Sequence, residues 1–289
     1  MCRLFALTTG GPRVHTALWL LDAPASLSEQ SRRMPDGTGL GWFSLGDEPV
    51  RDRAPVAAYE DSDFVNEAQH VVSHTFVAHI RYATTGKLTV HNSHPFDIRD
   101  RLFAHNGVVR GLDIIESWLS PLDKVFVEGE TDSELAFAWI TAEIERLGDT
   151  TAGIISAVRR MGEELPIYAF NFVLAEPRRL WALRYPDTHP LWVLNPEVGG
   201  RAGSRQLAGD TEPGSLSIEA GSAAVPAYVI ASERMDDDPD WRLLEPGELL
   251  VIDGLEATSL FPFTEPVHRL TKADLHPEEA ASQIPAFSA

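Results

Sequence analysis

The chain has 289 residues, of which 44% are hydrophobic, and its formal net charge is −19. That hydrophobic fraction is sufficient for a folded core, which excludes an intrinsically disordered chain. The excess of acidic residues argues against a surface for nucleic acid or for an anionic membrane, because both need clustered Lys and Arg.

The cysteine content and the hydropathy pattern bear on the compartment of the protein. The chain has one cysteine, so it cannot form an internal disulfide bond. We expect no signal peptide, because no basic segment followed by an apolar one opens the chain. No apolar run approaches the ~18 residues that a membrane-spanning helix needs. These features predict a cytoplasmic protein.

Strands are predicted where apolar and β-branched residues run between Gly, Pro and Asn. In chain order they are residues 3–9, 76–82, 101–104, 107–109, 169–175, 180–185, 191–194, 227–231 and 249–252. A glycine-rich turn that feeds a strand is predicted at residues 35–41. His105 and Asn106 are predicted to lie in a loop between two strands.

Helices are predicted at residues 63–73, 131–146 and 150–161, whereas residues 13–30 are helical or looped. The clearest helix has Thr131 as its predicted N-cap, and its apolar residues recur at helical spacing. Strands and helices do not alternate in a βαβ rhythm, which favours an α+β sandwich over a doubly wound sheet.

Cys2 has an unusual position. A free cysteine is often a small buried hydrophobic residue. If Met1 is removed, however, Cys2 carries both a thiol and a free α-amine. The α-amine has an unperturbed pKa of ~7.7–8.0, which makes it a usable general base, and the thiol is intrinsically nucleophilic. Nucleophile and base would then belong to one residue.

Four further motifs follow the N-terminal segment MCRLF. They are HIRYATTG at 79–86, NSHPF at 92–96, AHNGV at 104–108 and GETDSE at 129–134. None is specific alone, because Asn-Gly is a common turn dipeptide and an acid after Thr131 is common at a helix start. Together, in this order and spacing, they resemble the class II glutamine amidotransferases, which are N-terminal nucleophile hydrolases.

The resemblance implies a role for each matched residue. Cys2 would attack the γ-amide carbon of glutamine, and Asn106 and Gly107 would form the oxyanion hole. Arg81 would bind the α-carboxylate of the substrate, because a planar guanidinium suits bidentate carboxylate binding. Thr84 would lie beside that arginine, and Asp132 would hold the α-ammonium.

Two histidines match supporting positions of the family. His94 precedes a proline, and His105 precedes the Asn-Gly pair, so we expect both to have structural rather than proton-transfer roles. Family members that carry a synthase often have Trp after the arginine and His after the threonine. This chain has Tyr82 and Thr85 there, which affects local packing and loop geometry.

The family resemblance also implies the fold and the domain organisation. It predicts a four-layer αββα sandwich over residues 1–265, followed by a C-terminal tail at 266–289. Residues 199–224 are rich in Gly, Ser, Ala and acidic residues and are predicted to be an exposed insertion. No cofactor or metal is expected.

The expected reaction is release of ammonia from glutamine through a γ-glutamyl thioester on Cys2. Because little chain remains for a synthase after residue 265, a separate synthase or acceptor subunit is the expected partner. The alternative is a stand-alone hydrolase of a γ-glutamyl conjugate, since the resemblance is strongest to the small YafJ-like group and to the γ-glutamyl hydrolase of ergothioneine biosynthesis.

Two other classes of function remain as alternatives. His70 and His74 are four residues apart and could present a metal site on one helix face, with His79 nearby. The chain lacks the H-E-x-x-H pattern, which disfavours this. A non-catalytic interaction domain is the last alternative, but such a domain has no use for Cys2, Arg81 and Asn106 together.

Overall fold

The structure, a computed structural model, describes residues 2–83, 87–203 and 224–283. Its strands are β1 Arg3–Thr8, β2 Gly37–Phe43, β3 Pro49–Ala54, β4 Thr75–Arg81, β5 Phe96–Ile98, β6 Arg101–Val109, β7 Pro166–Glu176, β8 Arg179–Leu183, β9 Trp192–Leu194, β10 Arg201–Ala202, β11 Val225–Pro226, β12 Tyr228–Ala231, β13 Arg242–Leu243, β14 Leu249–Asp253, β15 Glu256–Leu260 and β16 His268–Arg269.

Its α-helices are α1 Leu27–Ser31, α2 Ser62–His70, α3 Leu112–Trp118, α4 Pro121–Lys124, α5 Asp132–Leu147, α6 Thr150–Glu164 and α7 Pro277–Ser282. A π-helix spans Leu18–Asp22, and 3₁₀ turns span Val90–Asn92 and Lys272–Asp274. No helix within the described residues is long and apolar enough to cross a membrane.

Two large antiparallel sheets dominate the fold. The first has the strand order β13-β9-β12-β1-β4-β2-β3, and the second has the order β15-β14-β8-β7-β6-β5. β16 joins the second sheet as a parallel neighbour of β7. β1 lies at the centre of the first sheet, between β12 and β4. Cys2 directly precedes β1, so the strand that follows Cys2 is hydrogen-bonded to a neighbouring strand on each side.

The alternation of side chains along β1 separates two layers of core. Leu4 and Ala6 are fully buried between the two sheets. Phe5 and Leu7 point to the other face and pack in a cluster with α1, α2 and the π-helix. Because successive side chains of a strand point to opposite faces, one strand can serve both cores. The sheet is consequently buried on both sides.

The second sheet is covered in the same way by α5 and α6. Phe103 of β6 stacks on Phe137 of α5 with ring centroids 4.7 Å apart, while Leu102 and Ala104 face the first sheet. Helices thus lie outside two stacked sheets, and the predicted four-layer αββα sandwich is confirmed.

The predicted helix at 131–146 is confirmed as α5. The Thr131 hydroxyl accepts a hydrogen bond from the backbone N–H of Glu134 at 3.3 Å, so Thr131 is the N-cap. Gly148 ends the helix with a φ of 68°, a left-handed conformation that glycine adopts without strain.

The predicted loop at His105 and Asn106 was wrong. β6 runs without a break from Arg101 to Val109 and pairs with β7 along this length. Both residues are buried, and the ladder to β7 satisfies the backbone of a segment whose polar side chains had indicated a loop. The Asn-Gly pair is therefore part of a strand at the site described below.

The predicted turn at residues 35–41 was also largely wrong, because β2 begins at Gly37. A Cβ on Gly39 would lie 2.1 Å from the carbonyl oxygen of His94. Glycine is therefore needed in this strand for close approach of another backbone segment, not for a turn. Glycine is typical both of turns and of strands that another segment approaches closely, so the sequence alone did not distinguish the two.

Short strand pairs flank the predicted insertion and begin the C-terminal segment. β10 and β11 pair with each other, so the chain leaves and returns at one place between residues 203 and 224. Residues 204–223 of the predicted insertion lie outside the described residues. After β16, Leu275 is buried against the second sheet and α7 follows.

Candidate active site

Cys2 lies directly before β1 and beside the end of β4. Its Sγ accepts a hydrogen bond from the backbone N–H of Tyr82 at 3.4 Å and lies 3.6 Å from the Tyr82 carbonyl oxygen, to which the thiol donates. The residue is half-buried, and it lines a cavity of about 270 Å³. The thiol is thus held by the sheet on one side and faces open space on the other.

Arg3 fixes the backbone next to Cys2. Arg3 is 2% exposed and forms an ion pair with Glu233, which is also buried, and its Nη1 donates to the Cys2 carbonyl oxygen at 3.3 Å. Burial lowers the pKa of the Arg3 guanidinium, while Glu233 opposes this. This pair was not predicted from the sequence, although a charged residue inside the apolar run after Cys2 was a usable signal.

Asn106 and Gly107 lie in the middle of β6. The Asn106 side chain is 3% exposed, and its Nδ2 meets no hydrogen-bond acceptor within residues 2–83, 87–203 and 224–283. A buried donor without an acceptor is costly, so it indicates a position where another group would accept the bond. A Cβ on Gly107 would lie 1.9 Å from the carbonyl oxygen of Ala169, which explains the glycine.

Arg81 ends β4 and also lines the cavity. It is 5% exposed, and its Nη1 donates to the Lys87 carbonyl oxygen at 3.1 Å. Burial lowers the pKa of the guanidinium, whereas Cys2, Asp36 and Asp132 act in the opposite direction. Arginine remains protonated in proteins, so the cavity has a positive charge in its wall.

Asp132 is the first residue of α5 and lines the same cavity. Its Oδ2 accepts from the backbone N–H of Val109 at 2.9 Å, and its Oδ1 accepts from that of Ser133 at 2.9 Å. The helix dipole favours a carboxylate at this end. Asp132 therefore connects α5 to the strand that carries Asn106, and it places a negative charge near Arg81.

The loop before α5 is held by two side chains that the sequence motifs contained without an assigned role. Glu134 Oε2 accepts from the Gly129 N–H at 2.6 Å, and Asn92 Oδ1 accepts from the Glu130 N–H at 2.9 Å. Asn92 Nδ2 also donates to the carbonyl oxygen of Lys87 at 3.1 Å. These bonds link the two loops that carry the neighbours of Arg81 and Asp132.

Three buried histidines lie near the cavity: His79 on β4, His94 before β5 and His105 on β6. His79 and His94 lie with ring centroids 4.2 Å apart, and His105 Nδ1 is 2.8 Å from the hydroxyl of Ser133. Burial is the main cause of a lowered pKa in all three rings. It lowers the pKa of His105, it lowers the pKa of His94 to well below its usual range, and it lowers the pKa of His79 to about 3. Neutral rings near pH 7 suit structural support better than proton transfer.

The histidines of the metal alternative do not assemble. α2 ends at His70, and His74 lies in the segment before β4, so the two do not share a helix face. His74 Nε2 instead contacts Asp47 Oδ1 at 2.9 Å. In the part of the chain that the structure describes, no group of three His, Cys, Asp or Glu residues could hold a metal ion.

Two of the residues named from the sequence, Thr84 and Thr85, cannot be placed, because they lie outside the described residues. Of the others, Cys2, Arg81, His94, His105, Gly107 and Asp132 line the same cavity. Asn106 is buried beside Gly107 on the same strand. The fold thus brings together Cys2, just before β1, with residues of β4, β6 and α5 that are far apart in sequence.

Curated proteins of similar sequence include proteins named as glutamine amidotransferases and one named as a γ-glutamyl hydrolase. The glutamine amidotransferase YafJ of Escherichia coli is 30% identical over 227 residues, which cover 74% of this chain and 83% of YafJ. The γ-glutamyl-hercynylcysteine sulfoxide hydrolase of Mycobacterium tuberculosis is 32% identical over 80% of this chain and 84% of that protein. A Haemophilus influenzae glutamine amidotransferase is 29% identical over 58% of this chain, and the match spans only 57% of its length.

Solved structures share the fold at lower sequence identity. A glutamine aminotransferase class-II domain protein from Silicibacter pomeroyi has a TM-score of 0.61 at 21% identity, covering 90% of this chain and 99% of that one. The glutamine phosphoribosylpyrophosphate amidotransferase of Bacillus subtilis has a TM-score of 0.60 at 18% identity, covering 92% of this chain and 50% of that one. The family model for class-II glutamine amidotransferases matches residues 1–274. The protein therefore belongs to the class II glutamine amidotransferases.

Proposed function

We propose that the protein is an amidohydrolase that releases ammonia from glutamine through a γ-glutamyl thioester on Cys2. The observation that carries this proposal is the meeting of Cys2, Arg81, Gly107 and Asp132 around one cavity of about 270 Å³. A nucleophile, a cation and an anion in one small cavity match the reacting carbon, the α-carboxylate and the α-ammonium of a γ-glutamyl substrate.

Substrate binding is assigned to the two charged side chains. The Arg81 guanidinium holds the α-carboxylate through two N–H donors, and Asp132 accepts from the α-ammonium. Thr84 is proposed to contact the carboxylate beside Arg81. Since Asp132 is already anchored by the Val109 N–H at 2.9 Å, its carboxylate needs little reorganisation when substrate binds.

The first half of the reaction is an acyl transfer to sulfur. The α-amine of Cys2 takes the thiol proton, and Sγ forms a bond to the γ-amide carbon. The negative charge that develops on the amide oxygen is stabilised by the Asn106 Nδ2–H and by the Gly107 backbone N–H. The carbon–nitrogen bond then breaks, and the nitrogen leaves as ammonia with the proton that the α-amine had taken.

The second half is hydrolysis of the thioester. Water loses a proton to the α-amine and adds to the same carbonyl carbon, and the same two donors stabilise the oxyanion. The carbon–sulfur bond breaks, and the thiolate recovers a proton from the α-ammonium. Glutamate leaves, and Cys2 returns to its starting state.

We predict that active protein lacks Met1. A retained Met1 would convert the Cys2 nitrogen into an amide, which cannot accept a proton, and the general base would be lost. Intact-mass spectrometry of purified protein measures this directly. Full activity in preparations that keep Met1 would show that the α-amine is not the base.

The substrate and the need for an acceptor of ammonia distinguish two versions of this function. In the first, a separate synthase or acceptor subunit receives it. In the second, the protein acts alone on a γ-glutamyl conjugate. The similarity to the M. tuberculosis hydrolase, which covers 84% of that protein, supports keeping the second version as a candidate.

One experiment tests both versions. The purified protein is given glutamine and a panel of γ-glutamyl amides and conjugates, and the release of ammonia, amine and glutamate is measured. Slow glutamine turnover is expected from the chain alone, because lids and partner subunits commonly gate such sites. Failure to cleave any γ-glutamyl bond, with or without candidate acceptor enzymes, would refute the proposed function.

A further inference from the structure

The segment that follows β16 is attached to the second sheet. The first contact is a backbone hydrogen bond, in which the Leu270 N–H donates to the Ile167 carbonyl oxygen of β7 at 2.9 Å. Leu275 is then buried in a small cluster with Val108, Tyr168 and Ala169. We refer to residues 270–283 as the C-terminal strap, because they run from the N-terminal end of β7 to the cavity.

Polar contacts fix the end of the strap. Glu279 is 3% exposed, and its Oε2 accepts from Arg110 Nη2 at 2.7 Å and from the His276 backbone N–H at 2.7 Å. Gln283 Oε1 lies 2.7 Å from Nε2 of the buried His189. α7 has only six residues, too few for a stable helix in isolation, so these contacts hold it in place.

The strap also forms part of the cavity wall. His276 and Glu279 line the same cavity as Cys2, next to Arg110 and Leu112, which continue the chain from β6. The cavity volume of about 270 Å³ is slightly below the range of roughly 300–1,000 Å³ typical of sites for drug-sized ligands. Because His276 and Glu279 bound the cavity that Cys2 lines, the strap limits the space available to a substrate held beside Cys2.

We propose that the C-terminal strap, held by the Arg110–Glu279 ion pair, selects substrates by size. With the strap in place, the cavity admits γ-glutamyl compounds whose leaving amine is small, glutamine above all, and excludes γ-glutamyl conjugates with bulky amines. Glu279 and Arg110 are specificity determinants in this view, and neither acts on the reacting bond. This inference rests on the proposed function for its substrate class.

The first test compares two glutamates on α7. Glu279→Gln removes the charge that pairs with Arg110, whereas Glu278→Gln changes a neighbouring exposed carboxylate and is the matched control. kcat/KM is measured for glutamine and for γ-glutamyl-p-nitroanilide. The ratio of anilide to glutamine should rise between about 10- and 200-fold in Glu279→Gln, the range by which steric fit in a pocket changes selectivity. Glu278→Gln should keep the original ratio.

A second variant covers the possibility that Glu279→Gln is poorly folded. Deletion of residues 276–289 removes α7 and keeps Leu275, which is buried against the sheet. The same rise in the ratio is expected. A ratio that stays at the value of the full chain in the deletion variant would overturn the proposal, because the cavity would then discriminate by size without the strap.

A third measurement is independent of turnover. Cys2 is the sole cysteine of the chain, so its labelling rate by iodoacetamide and by fluorescein maleimide reports access for a small and a bulky reagent. Loss of the strap should raise the rate with the bulky reagent about tenfold or more and leave the rate with iodoacetamide nearly unchanged. Equal effects on both reagents would contradict size selection. A chain that cleaves no γ-glutamyl bond but shows this labelling pattern would refute the proposed function and keep the strap's role as a size filter.

Discussion

Replacement of Cys2 by alanine is expected to reduce amide hydrolysis by about 10⁶-fold, the size of the loss when a protease nucleophile is removed. Without Sγ no thioester can form, and Asn106 and Gly107 have no covalent intermediate to stabilise. Cys2→Ser should also lose nearly all activity, because a hydroxyl is far less ionised than a thiol near neutral pH. Initial rates of glutamate release measure both variants.

The fold should survive these substitutions. Cys2 is half-buried and precedes β1, whose own core contacts come from Leu4 to Leu7. Thermal unfolding of Cys2→Ala should therefore give a midpoint close to that of the unchanged protein. Unchanged turnover in a folded Cys2→Ala protein would remove Cys2 from the mechanism.

Substitution of the two charged residues of the cavity is expected to raise KM strongly. Arg81→Lys keeps a positive charge but loses the planar pair of donors, and Asp132→Asn loses the charge that would pair with an α-ammonium. Loss of one partner of a buried charged contact costs about 2–5 kcal/mol, so the expected loss of affinity is at least about 30-fold. Steady-state kinetics with glutamine measure the change.

Matched controls separate binding from general effects of the substitutions. Arg32 forms an exposed ion pair with Glu29, and Asp113 is an exposed acid in the first turn of α3. Arg32→Lys and Asp113→Asn should leave KM unchanged. Wild-type affinity for glutamine in both Arg81→Lys and Asp132→Asn would mean that a different substrate class occupies the cavity.

Much of the fold could be predicted from the sequence. β1, β7 and β8 are short, mostly apolar runs, which is typical of strands buried on both faces. The helix that Thr131 caps has apolar residues at helical spacing, which follows from burial of one face. The order of five short motifs identified the family, because each motif is weak but their order is not expected by chance. The four-layer architecture was then predicted from the resemblance to the family.

Some local signals were ambiguous in physical terms. Glycines at 37, 39 and 41 are typical of a turn, but here they allow the segment at residues 93–95 to lie against β2. His105 and Asn106 are polar, yet they continue β6 and are buried. Composition alone cannot distinguish a polar loop from a polar stretch of strand that faces a cavity, since the difference depends on what lies opposite.

The order of the motifs was sufficient to identify the family, the sandwich and the candidate residues Cys2, Arg81, Asn106 and Asp132. The side chains that hold these residues in place belong to segments that no local sequence pattern connects. Arg3 pairs with Glu233, 230 positions away, and Glu279 reaches Arg110 across 169 positions. Such pairs form because sheet pairing brings remote strands together and leaves buried charges that must find partners. Only the tertiary structure could therefore show that the C-terminal strap is a wall of the cavity.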